Sequence, residues 1–385
     1  MAAPPLFLDV DATHATRSVR QLFSQLDDEL LALTTPLRSL REEDAQALGI
    51  ARTAATFTAL WEANERALRA LLPHDVRPTL ALADPSRAEN STLYPPHATA
   101  PRAAYGGGAQ VIAHLARDWG AAGSDSRRRT HRPVLSALRG LRRPARVLVP
   151  GAGACRLAWE IARVGFRVEA NDAATPMLLA GRSIMSWRGD SMPVYPQIRC
   201  EGGAMRRSSC HAGVMVPDVS PSRARTTQLT LQAGDFLRTY GASGHRLAWD
   251  AVVTCYFIDT LSDPVAAVRC IHDLLVPGGK WINIGPLQWH DHTAGLLRLS
   301  YDELTALLVR QGFVIEQTRR LTKIPYLRAS RDLLASSSRN WHDCVFFVAR
   351  KASDTETVPA YQKILRSVRS YVSRGVPSPD LNSTT

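Results

Sequence analysis

Hydrophobic and polar positions alternate in two different ways along the chain. In residues 15–72 apolar side chains recur every three or four positions, as in SVRQLFSQLDDELLALT and ARTAATFTALWEANERALRALL, and this spacing predicts helices. Residues 83–108 are rich in Pro, Gly and Ser, which indicates a long linker. A short helix, AQVIAHLARDWGAAG, and a basic loop are predicted to follow it.

From residue 145 onwards, short apolar runs alternate with helical segments. ARVLVP, FRVEAND, LTLQAGDF, WDAVVTCYFID and GGKWINIGP predict strands, and the helices between them predict a parallel sheet covered on both faces. After the helix SYDELTALLVRQGF come two strands, GFVIEQTRRL and HDCVFFVARK, with no obvious crossover helix between them. We therefore expect the last strand of an α/β sheet to run in the reverse direction.

The charge of the chain raises the question of nucleic-acid binding. There are 47 basic and 35 acidic residues, a net charge of +12, and nearly all the basic residues are Arg. The densest clusters, Arg127 to Arg132 and Arg199 to Arg225, fall in stretches that we predict to be loops, and they lack interleaved aromatic residues. This pattern favours a solvated basic surface over a nucleic-acid groove.

Other compositional features concern compartment and metal binding. The sequence has no apolar run of the ~18 residues that a membrane span needs, and Asp9 and Asp11 lie where a signal peptide would be apolar. Six cysteines show no C-x-x-C spacing. We therefore expect a cytosolic protein, with the nucleus as a further location, reduced thiols, no disulfide framework and no metal site.

The first candidate site feature is a glycine turn. Gly151 and Gly153 follow the strand ARVLVP and precede a helix, and glycine lets the backbone approach a bound nucleoside closely. The dinucleotide fingerprint would place a third glycine at position 156, where this chain has Arg156. The turn fits a nucleoside cofactor but lacks the pyrophosphate signature.

Acidic residues follow the next two strands. Asp172 lies roughly 20 residues after the glycine turn, where a carboxylate can accept the hydroxyl hydrogens of a ribose; a helix N-cap is the alternative. Asp235, followed by Phe236, closes the third strand and could hold an adenine amino group and ring, or be a loop residue. Because successive strand ends line one crevice, the combination favours S-adenosylmethionine over NAD. The turn LLVPGG supports this preference.

Several of these segments carry a resemblance to a known family. VLVPGAGACRLAWEIARVGF, GDF, TCYFID, LVPGGKWINIGPLQWH, CVFFVARK, ARDW and VPDVSP resemble the carnosine N-methyltransferases in order. The resemblance implies a class I methyltransferase (Rossmann-like) fold with seven strands. It also implies methylation of an imidazole nitrogen of β-alanyl-histidine, or a related histidine-containing dipeptide, by S-adenosylmethionine. We expect a helical extension and linker over residues 1–108, the methyltransferase domain over 109–351 and a polar tail over 352–385.

The resemblance also implies site residues. Cofactor contacts would fall on the two glycines of the turn and on His114, Arg117, Asp172, Asp235, Phe236 and Ala251. An Arg117 guanidinium can pair with the methionine carboxylate. The family usually has Gln at position 114, Glu at position 172 and Gly at position 155, so this chain departs from the pattern at three places.

For the dipeptide, the resemblance implies Asp259 and His290. A carboxylate that accepts the hydrogen of one imidazole nitrogen keeps the lone pair of the other available for the methyl group. His290 could hold the dipeptide or relay a proton. Two tyrosines that the family uses for the dipeptide correspond here to Asn340 and His342, which changes how the far end of the ligand would be held.

Three alternatives remain open at this point. An NAD-dependent oxidoreductase would need pyrophosphate binding, which the missing third glycine and the reversed strand disfavour. A methyltransferase for protein histidine or RNA would find support only in the Arg-rich segments. In a cofactor-binding protein without catalysis, Asp259 and His290 would not converge. Whether the chain forms a homodimer is left open.

Overall fold

The structure, a computed structural model, describes residues 7–9, 12–47, 49–72, 107–198, 211–223, 228–241, 243–289, 297–327 and 341–353. Residues 83–106 of the predicted linker over 83–108, and the predicted tail beyond residue 353, lie outside the described residues; Gly108 already begins helix α4 (Gly108–Trp119). The predicted domain boundaries therefore stay predictions.

The N-terminal region is helical, as its apolar spacing predicted. The helices are α1 (Ala12–Arg38), α2 (Glu42–Ala47) and α3 (Ile50–Leu71). Leu22 and Leu26 of α1 and Phe57 and Trp61 of α3 are buried and belong to the main hydrophobic core. Both long helices also contact a helix of the following domain, α7 (Thr175–Met185), so the extension packs directly on the α/β region.

The α/β region is built on one mixed sheet. Its strands are β1 (Phe7–Asp9), β2 (Arg146–Pro150), β3 (Arg167–Asp172), β6 (Gln228–Ala233), β7 (Trp249–Cys255), β8 (Leu275–Gly285), β9 (Phe313–Pro325) and β10 (Trp341–Lys351). The order across the sheet is β1-β6-β3-β2-β7-β8-β10-β9. A separate hairpin pairs β4 (Met192–Val194) with β5 (Val214–Val216).

Strand directions confirm the predicted class I methyltransferase fold. The strands β6, β3, β2, β7 and β8 are parallel to one another, whereas β10 is antiparallel to both β8 and β9. The last strand is therefore reversed, as expected. Further helices accompany the sheet: α4 (Gly108–Trp119), α5 (Ser124–Leu138), α6 (Arg156–Arg163), α8 (Phe236–Tyr240), α9 (Pro264–Leu274) and α10 (Tyr301–Arg310).

The sheet has one strand more than the predicted seven. β1, only three residues long, pairs in parallel with β6 and occupies the edge of the sheet. Its short length gave no recognisable alternation in the sequence. The N-terminal region therefore contributes backbone hydrogen bonds to the sheet as well as helices to the core.

The basic loop predicted over Arg127 to Arg132 is wrong, because this segment lies inside helix α5. The buried face of α5 includes Ser126, Thr130, Val134 and Leu138, spaced four residues apart as a helix requires. Two of these positions are small and polar, so the usual hydrophobic signal was weak. Arg127 is itself buried, at 7% exposure, and does not belong to a solvated basic surface.

Four cysteines are described, and all are free thiols: Cys155, Cys270 and Cys344 are buried and Cys255 is partly buried. Cys200 and Cys210 lie outside the described residues. Within the described ranges, no grouping of His, Cys, Asp and Glu side chains is suited to holding a metal ion. None of the described helices combines the length and apolar character needed to span a bilayer.

Candidate functional site

The glycine turn joins β2 to α6 at the carboxyl edge of the sheet. Gly151 and Gly153 have φ angles of 64° and 53°, in the left-handed region that favours glycine. At Gly151 a Cβ would lie 2.2 Å from Cδ2 of Phe257. The turn is fixed to the neighbouring strand by a 2.9 Å hydrogen bond from the Ala152 nitrogen to the Asn171 oxygen.

Asp172 ends β3 directly beside this turn. Its Oδ2 accepts a 2.8 Å hydrogen bond from the backbone nitrogen of Gly153, and its Oδ1 accepts one of 2.8 Å from that of Ala174. The residue is 2% exposed. The carboxylate therefore holds the glycine turn and the residue that precedes α7, but it is not the predicted N-cap, because Ala174 occupies that position.

Asp235 lies at the end of the next strand and caps α8, since its Oδ1 accepts a 3.0 Å hydrogen bond from the backbone nitrogen of Arg238. The ring of Phe236 is buried and meets that of Phe257 edge to face, with centroids 5.6 Å apart. Because Phe257 also covers Gly151, the residues at the ends of β2, β6 and β7 meet at one place.

A charged group on α4 faces the same turn. The Arg117 Nε lies 2.6 Å from Oδ1 of Asp118, and Nη1 of Arg117 donates to the Tyr326 hydroxyl at 2.5 Å. The Tyr326 hydroxyl is also 3.3 Å from Nε2 of His114. A Cβ at Gly153 would lie 3.0 Å from Nδ1 of His114, so α4 and the glycine turn are in close contact.

Burial sets the protonation of this group. Burial and, to a smaller extent, the positive charge of Arg117 lower the pKa of the His114 imidazole to about 3, so the ring is neutral near pH 7. Burial also opposes the charges of Arg117 and Asp118, but their mutual attraction outweighs it: the pKa of Arg117 is raised and that of Asp118 is lowered. The imidazole at position 114 is therefore uncharged, like the glutamine side chain that the family usually has at this position.

Asp259 lies in a 3-10 helix, Ile258–Thr260, just after β7. Its Oδ2 accepts a 3.0 Å hydrogen bond from the backbone nitrogen of Gln288, and the residue is 1% exposed. A buried carboxylate at a parallel strand end, held by a backbone donor from the next strand's loop, is suited to accept a further hydrogen bond from a bound ligand.

Three rings form an aromatic cluster beside Arg117. The centroids of Tyr256, Tyr326 and His342 lie 5.5–5.7 Å apart, with interplanar angles between 68° and 88°. The Arg117 guanidinium lies 4.7 Å from the Tyr326 centroid. We call Tyr256, Tyr326 and His342 the ring cluster.

The thiol of Cys344 connects this cluster to Asp259. Its Sγ is 3.9 Å from the Tyr256 hydroxyl. Burial raises the pKa of Cys344 to about 12, and the negative charge of Asp259 contributes to the rise. On the opposite side, Asp172 and Asp118 both contribute to raising the pKa of Cys155, after burial. Arg117 links the two sides, since it contacts Asp118 on α4 and Tyr326 of the ring cluster.

Comparison with known proteins identifies the family. The family model for carnosine N-methyltransferase matches residues 104–353 of this chain. The chain belongs to the carnosine N-methyltransferase family.

Individual relatives agree with this assignment. The carnosine N-methyltransferase of Rattus norvegicus is 30% identical over 254 residues, which cover 63% of this chain and 62% of that protein. The Schizosaccharomyces pombe carnosine N-methyltransferase is 35% identical over 196 residues, covering 48% and 52%. The Drosophila melanogaster carnosine N-methyltransferase unmet is 28% identical over 289 residues, covering 70% and 62%. The matched part of this chain spans less than two thirds of each relative.

Not every residue predicted for the site lies there in the structure. Ala251 pairs with Val147, near the start of β2, and is fully buried in the core, away from the carboxyl edge where Gly151 lies. We therefore leave Ala251 out of the proposed site. His290 and Asn340 lie outside the described residues.

Two residues at the site were not predicted from the sequence. Tyr256 lies three positions before Asp259 and has a φ of 53°, a strained conformation for a residue with a Cβ. Its place in the same strand-end loop could have marked it as a candidate. Tyr326 directly follows β9 and is far in sequence from the other site residues. No local sequence pattern pointed to it.

Proposed function

We propose that this protein transfers a methyl group from S-adenosylmethionine to an imidazole nitrogen of carnosine or a related histidine-containing dipeptide, giving an anserine-type product. Family membership supports the reaction class. The observation that carries the proposal is the arrangement of Arg117, the glycine turn, Asp172 and Asp259 around one carboxyl edge of the sheet.

The residues fit S-adenosylmethionine, which supplies an electrophilic methyl group on a sulfonium. Arg117 would pair with the methionine carboxylate, exchanging part of its contact with Asp118, and His114 would offer a neutral polar neighbour. Asp172 would accept hydrogen bonds from the ribose hydroxyls, since each carboxylate oxygen can accept more than one. Gly151 and Gly153 would let the backbone approach the nucleoside.

For the adenine, we propose Asp235 and Phe236. The Asp235 carboxylate would accept from the adenine amino group in addition to the Arg238 nitrogen. The Phe236 ring, fixed by Phe257, would bound the base on one side. Both residues begin the turn after β6, beside the ribose site proposed at Asp172.

On the acceptor side, we propose that Asp259 accepts the N–H of one imidazole nitrogen and so orients the other nitrogen towards the methyl group. The lone pair of that neutral nitrogen forms the new N–C bond as the S–C bond breaks, and the ring becomes cationic. The negative charge of Asp259 stabilises this cation. His290 would hold the dipeptide or take part in proton transfer.

The ring cluster would enclose the acceptor. Aromatic faces attract cations, so Tyr256 and Tyr326 would favour the ring as its positive charge develops. His342, with Asn340, would contact the far end of the dipeptide, in place of the tyrosines that the family resemblance implies. His342 is in ring contact with both tyrosines, which supports its assignment to this pocket.

We extend the proposal to the rest of the chain. The helices before residue 108 would cover the cofactor, because α1 contacts α4, which carries His114 and Arg117. Free thiols among the described cysteines are consistent with a cytosolic protein, with the nucleus as a further location. The buried, paired state of Arg127 and Arg156 removes two positive charges from any nucleic-acid surface.

The proposal is tested by incubating the full chain with S-adenosylmethionine labelled on the methyl carbon. Carnosine, homocarnosine, histidine, a histidine-containing protein and RNA serve as parallel acceptors. We expect label in the imidazole ring of carnosine or homocarnosine. If only the protein or only the RNA is labelled, the acceptor is that macromolecule and the proposed dipeptide acceptor is wrong. Calorimetric binding of NAD, with none of S-adenosylhomocysteine, would overturn the proposal.

A further inference from the structure

The carboxyl end of helix α4 is held by two buried arginines. Arg127 donates through Nη1 to the carbonyl oxygens of Arg117 and Gly120, the latter at 2.8 Å. Arg156 donates through Nη1 to the carbonyl of Asp118 at 3.2 Å. Cations are favourable at this end of a helix, because the last carbonyls lack helical partners and carry partial negative charge.

Asp218 joins the two arginines. Its Oδ2 accepts from Nη2 of Arg127 and its Oδ1 lies 2.8 Å from Nη1 of Arg156. Its backbone nitrogen donates to the carbonyl of Trp119 at 2.6 Å. Asp218 therefore contacts helix α4 directly through its backbone and indirectly through both arginines. Its backbone nitrogen binds the carbonyl of Trp119, to which neither arginine donates.

This arrangement is tightly constrained. The side chains of Arg127 and Arg156 are each 8% exposed and that of Asp218 is 17% exposed. Removing one partner from such a group leaves uncompensated buried charge. A Cβ at Gly123 would lie 1.7 Å from the Arg117 carbonyl oxygen, so the chain after α4 passes against the same carbonyl without room for a side chain.

The same end of α4 is also tied to the glycine turn. The Trp119 indole nitrogen donates to the carbonyl of Ala154 at 2.8 Å. Arg156 is the first residue of α6, which follows that turn. The position of α4 relative to the proposed nucleoside site is thus fixed by contacts at its last turn, close to Arg117.

We propose that Asp218 is a positioning residue for Arg117. Through Arg127 and Arg156 it fixes the backbone of the last turn of α4, and so directs the Arg117 guanidinium at the carboxylate of the methionine moiety. This inference rests on the proposed function, because it assumes that Arg117 binds that carboxylate. It assigns Asp218 no contact with the ligand.

The test compares two ligands that differ in the moiety Arg117 would bind. S-adenosylhomocysteine carries the amino-acid carboxylate, whereas 5′-methylthioadenosine has the same nucleoside and thioether without it. In calorimetry, we expect Asp218→Asn to weaken S-adenosylhomocysteine binding about tenfold and to leave 5′-methylthioadenosine binding unchanged. A purely structural role would weaken both ligands equally, and that result would overturn the inference, as would unchanged binding of both.

A matched control and a second variant complete the experiment. Glu169→Gln neutralises a half-buried carboxylate on β3 that accepts from the Tyr240 hydroxyl of α8 at 2.6 Å, so we expect no discrimination between the ligands. If Asp218→Asn does not fold, Arg127→Lys, which keeps the charge but loses the forked contact, should show the same selective loss. Wild-type protein that binds neither ligand would overturn the proposed function and the inference together. If the wild type binds both ligands and Asp218→Asn loses the same affinity for each, the inference alone is overturned.

Discussion

The Asp172 Oδ2 atom lies 2.8 Å from the backbone nitrogen of Gly153, so the end of β3 holds the glycine turn that follows β2. The second oxygen accepts from the Ala174 nitrogen. We expect Asp172→Ala to lower the free energy of unfolding by roughly 1–3 kcal/mol for each buried N–H left unpaired, and to weaken S-adenosylhomocysteine binding.

Urea unfolding and calorimetry measure the two effects of Asp172→Ala. Asp172→Asn is the control, because it retains one oxygen acceptor and should lose less stability. If Asp172→Ala binds S-adenosylhomocysteine as tightly as the wild type does, Asp172 does not contact the ribose. If its unfolding midpoint is unchanged, the hydrogen bonds of Asp172 to the backbone do not stabilise the fold.

A second prediction concerns Asp259, which is buried and held by the Gln288 nitrogen. We expect Asp259→Asn to reduce methyl transfer by about 100-fold or more, because an amide neither orients the neutral imidazole in the same way nor stabilises the cation that forms. Binding of S-adenosylhomocysteine should be nearly unchanged. Single-turnover transfer of labelled methyl and calorimetry separate these two quantities.

Asp250→Asn is a matched control for Asp259→Asn. Asp250 is the second residue of β7 and likewise accepts a backbone hydrogen bond, from the Arg146 nitrogen at 2.7 Å, but at the amino end of that strand. This variant should transfer methyl groups at the wild-type rate. Full activity in Asp259→Asn would remove Asp259 from the mechanism.

The third prediction concerns pH. The folded His114 has a pKa of about 3, against an ordinary value of 6.5, so between these values the unfolded chain binds a proton that the folded chain does not. Stability contributed by the neutral ring is therefore present above pH 6.5 and is lost as the pH falls towards 3, at up to about 1.4 kcal/mol per pH unit.

His114→Gln removes the titrating group, so we expect a flatter dependence of unfolding free energy on pH between roughly pH 4 and 6. Urea unfolding across that range measures the slope for both proteins. The control is His14→Gln, at an exposed position of α1, which should retain the wild-type slope. Identical slopes for His114→Gln and wild type would contradict the buried, neutral imidazole.

A fourth prediction concerns the contact between Gly151 and Phe257. A Cβ at residue 151 would lie 2.2 Å from the Phe257 ring, at a φ of 64° that disfavours alanine. We expect Gly151→Ala to cost about 1–3 kcal/mol in strain, before any displacement of the ring, and to lower methyl transfer because Phe257 precedes the Asp259 loop.

Thermal unfolding and the transfer assay measure Gly151→Ala. At Gly140, nothing lies within 4 Å of an added Cβ, so Gly140→Ala is the control and should be neutral in both assays. A Gly151→Ala variant with wild-type stability and activity would show that the turn does not need this close approach.

Much of the fold follows from local sequence patterns. The strands of the α/β region are compact apolar runs that end in turn residues, and α1 and α3 have regular apolar spacing, so each could be predicted from neighbouring positions. Helix α5 could not, because Arg127 is buried through partners distant in sequence. Its pairing with Asp218 exists only once the chain is folded.

The site divides in the same way. Asp172 and Asp235 follow from the rule that parallel strands place their carboxyl ends at one edge, whereas Asp259 is implied by the family resemblance. Tyr326 reaches the site from the end of β9 and Asp118 pairs with Arg117 inside the fold, so neither is marked by spacing. Ala251 shows the converse: an alignment position near a strand start does not reach the edge where the ligand would lie.

The three residues of β1 have a consequence for any shortened version of this chain. Phe7–Asp9 is hydrogen-bonded to β6 along the outer margin of the sheet. Trimming the protein to residues 104–353, which the family model matches, would remove that margin and leave β6 with unpaired amide and carbonyl groups facing water. Bare margins of this kind recruit other chains, so we expect the trimmed protein to self-associate.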